Sequence, residues 1–201
     1  MAKKAIAVFI SGRGSNFMSI HGDIEQGVIE GEIVVVVSDN PDAAGLAYAE
    51  QRGIECRVFP WRAPRNSYFQ VIMDFLEEKH IDLIILAGFM RVLSENIIKR
   101  YEHRILNIHP ALLPSFPGED AQKRAFEYGV KYSGCTVHFV DEGVDTGPIV
   151  QQRVVAVLED DDAETLAERI LEQEHQLFPE VVRLFCNDQL KVVGRRVHIQ
   201  T

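Results

Sequence analysis

Short apolar runs alternate with segments of helical periodicity through the first half of the chain, and this alternation constrains the fold most. Five such runs end in turns rich in Gly, Ser, Asn or Pro, at residues 5–10, 33–37, 54–59, 82–87 and 105–108. Uninterrupted apolar runs are typical of strands that helices cover on both faces. The order predicts a β-α-β-α-β-α-β-α-β series, and therefore an α/β fold with a Rossmann-like, doubly wound parallel sheet and right-handed crossovers.

The pattern changes after residue 110. A loop rich in Pro and Gly at 110–118 and a helix near 121–128 precede two strand-like runs at 135–140 and 149–157. The connection between those runs is too short for a crossover helix, so we expect them to pair antiparallel. A long helix then extends to about residue 185, and a weak hairpin or strand covers 190–199. The sequence predicts one domain over 1–201, with a Rossmann-like half at 1–110 and a second half at 111–201.

Several helix ends carry local signals. Asn66 or Ser67 is expected to cap the third helix, and Ser94 the fourth. The run Asp161-Asp162-Ala163-Glu164 matches a capping box with Glu164 as its N3 residue. Pro179 should kink or interrupt the long helix that follows.

Composition narrows the functional classes. The net charge of −9 argues against a general nucleic-acid binder, and no apolar run reaches the length of a membrane span. The seven histidines show no metal-binding spacing, so no metal is expected. Cys56, Cys135 and Cys186 are odd in number and form no CxxC, which favours a reduced, cytoplasmic setting with all three thiols buried.

Two polar residues interrupt the end of the fifth strand. Asn107 and His109 are two positions apart, so they project to the same face, and Pro110 ends the strand just beyond them. Ligands of open α/β sheets bind at the carboxyl ends of the strands. The pair is therefore either a catalytic amide and imidazole or a hydrogen-bonded pair in the core.

The turn after the first strand combines glycines with polar residues at a helix N-terminus. Such a segment offers backbone N–H groups to a phosphate, although it also serves as a plain tight turn. Phe17 stands where a dinucleotide fingerprint needs its third glycine, and no Walker A lysine follows. We therefore expect one phosphate on a sugar, held by Gly12, Arg13, Gly14, Ser15 and Asn16.

Two further loops carry candidate functional groups. Gly88, after the fourth strand, lets a flat ligand approach the backbone, or simply forms a βα turn. Asp145 lies in a Gly- and Pro-rich loop between the two antiparallel strands. Its carboxylate can exchange a proton through water or hold His109 charged, or it is only a turn-forming residue.

Four motifs occur in order along the chain: Ile-Ser-Gly-Arg-Gly-Ser-Asn at 10–16, Leu-Ala-Gly-Phe-Met-Arg at 86–91, Asn-Ile-His-Pro-Ala-Leu-Leu-Pro at 107–114, and Val-His-Phe-Val-Asp-Glu-Gly-Val-Asp-Thr-Gly-Pro at 137–148. Together they closely resemble the folate-dependent formyltransferases. The Gly-Ser-Asn loop and Gln173-Glu174-His175 resemble the members whose acceptor is glycinamide ribonucleotide. The resemblance implies the formyltransferase fold, a cytoplasmic enzyme of purine biosynthesis, and 10-formyltetrahydrofolate as co-substrate.

The resemblance also implies roles for individual residues. Asn107 and a protonated His109 would stabilise the oxyanion, while Asp145 would raise the pKa of His109 and relay a proton through water. Gly14, Ser15 and Asn16 would hold the ribose phosphate, and Glu174 would meet the substrate amine or sugar. The family further implies a cis peptide at Leu113-Pro114. The folate would contact Arg65, Met90, Arg91, Val92, Leu93, Asn107, Asp141, Glu142, Gly143, Val144 and Asp145.

One position departs from the family, and three other functions compete. Many members have His where this chain has Asp120, and an acid there would repel Asp145.

A formyltetrahydrofolate deformylase would use the same residues with water as acceptor, but it usually carries an extra N-terminal domain. Enzymes that formylate tRNA or nucleotide sugars are generally longer. A non-catalytic nucleotide-binding module would leave Asn107, His109 and Asp145 without a joint purpose. The sequence leaves open whether the chain forms a homodimer.

Overall fold

A computed structural model describes residues 3–62 and 64–200, which form nine strands and six helices. The strands are β1 Lys4–Ile10, β2 Gly31–Ser38, β3 Glu55–Val58, β4 Leu83–Leu86, β5 Ile105–His109, β6 Tyr132–Phe139, β7 Ile149–Ala156, β8 Leu190–Val193 and β9 Arg196–Ile199. The helices are α1 Ser15–Glu25, α2 Ala44–Gln51, α3 Arg65–Glu78, α4 Glu95–Arg100, α5 Ala121–Tyr128 and α6 Ala163–Cys186.

The strands form a single sheet in the order β3-β2-β1-β4-β5-β6-β7-β9-β8. The first five strands pair parallel, whereas β6 pairs antiparallel with β5 and β7 antiparallel with β6. A C-terminal hairpin, β8–β9, is attached to β7. The predicted α/β sheet, mostly parallel with antiparallel strands in its C-terminal part, is confirmed.

Alternate residues of the central strands supply two separate hydrophobic cores. On β1, Ile6, Val8 and Ile10 pack into one core with α1, α2 and α6, while Ala7 and Phe9 pack into the other with α3 and α4. Side chains of a strand alternate between its faces, so a continuous apolar run is what two covered faces require. Helices on both faces are the arrangement expected of a doubly wound sheet.

Four of the predicted helix features differ from the structure, two of them at the starts of α3 and α4. Helix α3 begins at Arg65, after an extended Pro64 and without a side-chain cap, so the predicted cap at Asn66 or Ser67 is wrong. The reason is that proline has a fixed φ angle and no N–H group, so it is favoured where a helix starts. Ser94 does precede α4, but its hydroxyl makes no capping hydrogen bond.

The other two differences concern the capping box and the proline of the long helix α6. Its capping box pairs Asp162 with Thr165, so the predicted N3 role of Glu164 is wrong. Asp161 is unavailable as the cap because it binds Arg169 and the Leu158 amide. The helix continues through Pro179, which is buried among apolar neighbours, so the predicted interruption is also wrong. Apolar burial offsets the single hydrogen bond that proline removes.

Other predictions have mixed outcomes. The Leu113-Pro114 peptide is cis, as the resemblance implied. Cys135 and Cys186 are buried, but Cys56 is only partly buried because it lies on the edge strand β3, so the expectation for that thiol is wrong. Within residues 3–62 and 64–200, no helix is long and apolar enough to cross a membrane.

Candidate active site

Asn107 and His109 share one face of β5 and both approach Asp145. The distance from Asn107 Nδ2 to Asp145 Oδ1 is 3.4 Å, and that from His109 Nδ1 to Asp145 Oδ2 is 3.2 Å. His109 is buried, and Asn107 is half-buried. The fold therefore brings Asn107, His109 and Asp145 together, although they are up to 38 positions apart in the sequence.

Asp145 is held as a carboxylate by groups on two other segments. Gly118 donates its backbone N–H to Asp145 Oδ2 at 2.8 Å, and His138 Nε2 lies 3.5 Å from Oδ1. Burial acts to raise the pKa of Asp145, but His138, the Gly118 N–H and His109 together lower it to about 2. Asp145 is therefore ionised at neutral pH.

The two ring nitrogens of His109 both face oxygen acceptors. Nδ1 faces Asp145, and Nε2 lies 2.8 Å from the carbonyl oxygen of Phe116. Only the doubly protonated imidazolium can donate to both acceptors. Burial nevertheless lowers the pKa of His109, and it outweighs the opposite effects of Asp145 and the Phe116 carbonyl. The expected effect of Asp145 therefore has the right sign, but the net pKa is lowered because the ring is deeply buried, which the sequence pattern does not show.

His138 belongs to the same cluster, although sequence reasoning assigned it no role. Its position on β6 is directly opposite Asn107 on β5. Its Nδ1 lies 2.9 Å from the Phe139 carbonyl oxygen, and its Nε2 lies 3.1 Å from Asn107 Nδ2 and 3.5 Å from Asp145 Oδ1. The Val-His-Phe motif contained this signal, but its use required the register of the antiparallel pair.

Asp120, the position that departs from the family, does not perturb the cluster through a direct contact. Its side chain is exposed, and the residue has a φ of 53° just before α5. Asp145 is held instead by the Gly118 N–H and by His138. The expected repulsion is thus avoided because the supporting groups come from a backbone amide and from β6.

The glycine turn after β1 forms the N-terminus of α1. Gly14 precedes the helix with a φ of 70°, a conformation that suits glycine. The backbone N–H groups of the first helical turn, from Ser15 onward, have no partner within a helix and are available to an anion. Gly45, which sequence reasoning missed, packs beneath this turn and donates its N–H to the Gly12 carbonyl. Arg13 is exposed beside it.

A buried polar pair lies next to this turn. Asn16 Nδ2 donates to Glu174 Oε2 at 2.7 Å, and both residues are buried. Burial raises the pKa of Glu174 to about 7, against the opposite effect of the hydrogen bond from Asn16. Asn16 Oδ1 and His175 Nε2 are buried atoms without a hydrogen-bond partner among the residues that the structure describes. These atoms have the free capacity that a polar ligand would use.

The segment after β4 is fixed by polar contacts to the residues that follow β1 and β2. Arg91 pairs with the buried Asp39, which also accepts from the Ser11 hydroxyl at 2.6 Å. The Met90 amide donates to Ser11 Oγ at 2.9 Å. Met90 and Val92 are exposed, and Leu93 is buried. Asp39 and Ser11, which sequence reasoning did not single out, therefore hold the predicted folate segment in place.

The remaining predicted folate residues line open surfaces. Asp141, Glu142 and Gly143 line a cavity of about 350 Å³, and Val144 is exposed. Arg65 is an exposed residue at the start of α3. No group of three or more His, Cys, Asp or Glu side chains suited to a metal ion occurs in residues 3–62 and 64–200.

Comparison with known proteins identifies the family. The formyl transferase family model matches residues 4–182. Phosphoribosylglycinamide formyltransferase of Bacillus subtilis is 40% identical over 182 residues, which cover 90% of this chain and 93% of that protein. The trifunctional purine biosynthetic protein adenosine-3 of Drosophila melanogaster is 45% identical over 92% of this chain, but the match spans only 14% of its own length.

A solved structure agrees in fold over the whole chain. Glycinamide ribonucleotide transformylase 1 of Symbiobacterium toebii superimposes with a TM-score of 0.96 at 43% identity, covering 100% of this chain and 95% of that one. Since the family model covers most of the sequence and these relatives align over nearly all of it, this chain belongs to the formyl transferase family.

Proposed function

We propose that this protein transfers the formyl group of 10-formyltetrahydrofolate to the amine of glycinamide ribonucleotide. The products are the formylated ribonucleotide and tetrahydrofolate, as a step of purine biosynthesis. The names of the similar proteins support this reaction. One observation carries the proposal. Asn107, His109 and Asp145 lie in contact at the same edge of the sheet as the glycine turn after β1.

The ribonucleotide would be anchored at the N-terminus of α1. Gly12, Arg13, Gly14, Ser15 and Asn16 would surround the phosphate, mainly through backbone N–H groups. Glu174 would contact the sugar or the amine. Its raised pKa favours a neutral carboxyl group, which repels a nearby phosphate less than a carboxylate does.

The folate would occupy the opposite side of the reacting residues. Met90, Arg91, Val92 and Leu93 would contact it from the segment after β4, and Arg65 from the start of α3. Asp141, Glu142, Gly143, Val144 and Asp145 would offer backbone groups to the pterin, with Asn107 beneath the formyl group. The contacts of Ser11 and Asp39 to the β4 segment preorganise part of this surface.

Formyl transfer requires stabilisation of an oxyanion. The substrate amine attacks the formyl carbon, and negative charge develops on the formyl oxygen. Asn107 Nδ2 and a protonated His109 would donate to that oxygen, each contributing ~3 kcal/mol. Without substrate, these donors face Asp145, His138 and the Phe116 carbonyl. The formyl oxygen would replace some of those partners, while Asp145 stabilises the imidazolium. The bond between the formyl carbon and the folate nitrogen then breaks, and Asp145 relays the proton of the attacking amine through water to that leaving nitrogen.

The test supplies 10-formyltetrahydrofolate with and without glycinamide ribonucleotide and follows release of the folate product. We expect release only in the presence of the ribonucleotide, with the formyl carbon recovered on its amine. Release that ignores the ribonucleotide, with formate as product, would contradict the proposal and indicate a deformylase. No release in either case would indicate a binding module.

The proposal includes a cytoplasmic location and small-molecule partners. The net charge of −9 is unfavourable for binding nucleic acid, which supports small-molecule partners. The three cysteines are free thiols, which supports a reducing, cytoplasmic location. Sedimentation equilibrium would distinguish a monomer from the homodimer that the sequence leaves open.

A further inference from the structure

The loop of residues 116–120 supplies backbone groups to both ionisable partners of the proposed reaction. Its Gly118 N–H donates to Asp145 Oδ2 at 2.8 Å, and its Phe116 carbonyl lies 2.8 Å from His109 Nε2. These contacts involve main-chain atoms, so the identity of the loop side chains does not determine them directly. The position of the loop backbone therefore controls the surroundings of His109 and Asp145.

The backbone conformation of this loop is unfavourable by itself. Phe116 and Asp120 both have a φ of 53°, in the left-handed region that residues with a Cβ rarely adopt. Gly118 between them has a φ of 80°. Surrounding contacts must hold such a segment in place.

Those contacts come from one face of α5. Arg124 Nη1 donates to the Pro117 carbonyl at 2.6 Å and lies 3.4 Å from the Glu119 carbonyl, on either side of Gly118. The Arg124 guanidinium also lies 6.0 Å from the centre of the Phe116 ring, and the Tyr128 ring packs against that ring at 5.8 Å. Arg124 thus binds the residues that flank the amide directed at Asp145.

We propose that Arg124 is a positioning residue for formyl transfer, acting by clamping the 116–120 loop so that Gly118 and Phe116 meet Asp145 and His109. This inference rests on the proposed function. Arg124 is exposed on α5 and is not one of the residues assigned to substrate or folate. Its effect is transmitted through the Pro117 and Glu119 carbonyls to the backbone of the same loop.

The clamp has an electrostatic consequence. The charged and titratable groups that act on His109 are Asp145 from the β6–β7 loop, His138 from β6 and Arg124 from α5. The Arg124 cation lowers the pKa of His109, and the Gly118 N–H lowers that of Asp145. Loss of the clamp therefore raises the pKa of Asp145, whereas for His109 the loss of the Phe116 carbonyl contact, which raises the pKa, outweighs the loss of the Arg124 charge. A variant that is merely less stable would scale the pH–rate profile without moving it.

The experiment compares Arg124→Gln with Lys123→Gln, a matched change at the adjacent exposed position. Lys123 pairs only loosely with Glu127, at 3.8 Å. For Arg124→Gln we expect kcat to fall about tenfold to a hundredfold through misplacement of the reacting groups. We expect an unchanged KM for the ribonucleotide and an acidic limb of the pH–rate profile shifted upward. Hydrogen exchange at the Gly118 amide should be about tenfold faster. Lys123→Gln should match the wild type in all four measurements.

A kcat for Arg124→Gln within about twofold of the Lys123→Gln value would overturn the proposal, whatever the exchange rate at Gly118. A lower kcat with an unshifted profile would also overturn it, because that result indicates general damage. If the wild-type protein shows no formyl transfer, the proposed function fails separately. Unchanged exchange at Gly118 in Arg124→Gln would then still show that the clamp itself does not exist.

Discussion

Glu174 is a carboxyl group enclosed by protein, with Asn16 as its hydrogen-bond partner. Burial raises its pKa from 4.5 to about 7, so the native state retains a proton that the unfolded chain releases between those values. The native state therefore loses stability as pH rises through this window. The shift corresponds to roughly 3 kcal/mol above pH 7.

Glu174→Gln should remove this pH dependence because glutamine is neutral at every pH. We expect the variant to gain stability relative to the wild type between about pH 4.5 and pH 7, by roughly 3 kcal/mol at most. Urea unfolding at pH 5 and pH 8 measures the difference. Glu172→Gln, at an exposed position on the same helix, is the control and should follow the wild type. Parallel curves for Glu174→Gln and the wild type would contradict the assignment.

The contacts of His109 reconcile burial with a catalytic role. Burial favours the neutral ring, while acceptors at both nitrogens favour the imidazolium. A group balanced in this way can change its protonation state when a ligand replaces one acceptor. The formyl oxygen would be such a ligand.

At the scale of elements, Thr136 ties β6 to the loop that follows β5. Its hydroxyl donates to the Ala111 carbonyl at 2.7 Å and accepts from the Leu113 amide at 3.1 Å. Gln152 on β7 donates to the same hydroxyl at 2.9 Å and to the Leu113 carbonyl at 3.0 Å. Because Thr136 is directly opposite His109, this network fixes the chain just after the candidate catalytic histidine.

Thr136→Val should be destabilising although it conserves shape. The change leaves the Leu113 N–H and the Ala111 carbonyl without a buried partner, at a cost of roughly 1–3 kcal/mol. Thr136→Ser retains the hydroxyl and should lose less. Chemical denaturation of both variants gives the comparison, and a valine variant as stable as the serine variant would show that the network contributes little.

At the scale of the whole molecule, the interior of the sheet and its C-terminal edge differ in packing. The interior strand β1 is mostly buried, whereas every residue of the C-terminal hairpin strands β8 and β9 is half-buried or exposed. The strand pairing between the hairpin and the rest of the sheet is limited to one residue pair, Ile149 with Arg196. It also lies beyond residue 182, where the family match ends.

Native-state hydrogen exchange should reveal this difference. We expect amides of the hairpin to exchange about a hundredfold faster than those of β1, because little apolar area opposes local opening of the hairpin. The measurement is made on the wild-type chain without ligand. Equal protection in the two places would show that the hairpin unfolds only with the rest of the sheet.

Much of this architecture could be predicted from the sequence, because apolar runs and their turns specify strands locally. Helix α5 and the antiparallel pair β6–β7 follow the predicted pattern closely. The differences arise where two local signals compete. Asp161 and Asp162 are both suitable caps, and only the position of Arg169 decides between them. The first residue of α3 is similarly determined by Pro64, which precedes it.

The candidate site was predictable in its side chains but not in its support. Asn107, His109 and Asp145 lie in recognisable sequence motifs. The Gly118 N–H and the Phe116 carbonyl are backbone groups, which no side-chain pattern indicates. The place of His138 depends on strand register, which no local pattern determines. The pKa of His109 depends on burial, which is a property of the assembled fold.

In the proposed reaction, the Asn107–His109–Asp145 cluster performs the chemistry while the turn at residues 12–16 binds the ribonucleotide. The most direct measurement determines kcat and the ribonucleotide Kd for His109→Ala and Asp145→Asn beside the wild type. We expect kcat to fall by about 10²–10³ or more, with Kd changed by less than about threefold, because the phosphate turn is intact. Near-normal kcat in either variant would contradict the role of that residue, and a Kd lost together with kcat would contradict the separation of binding from chemistry.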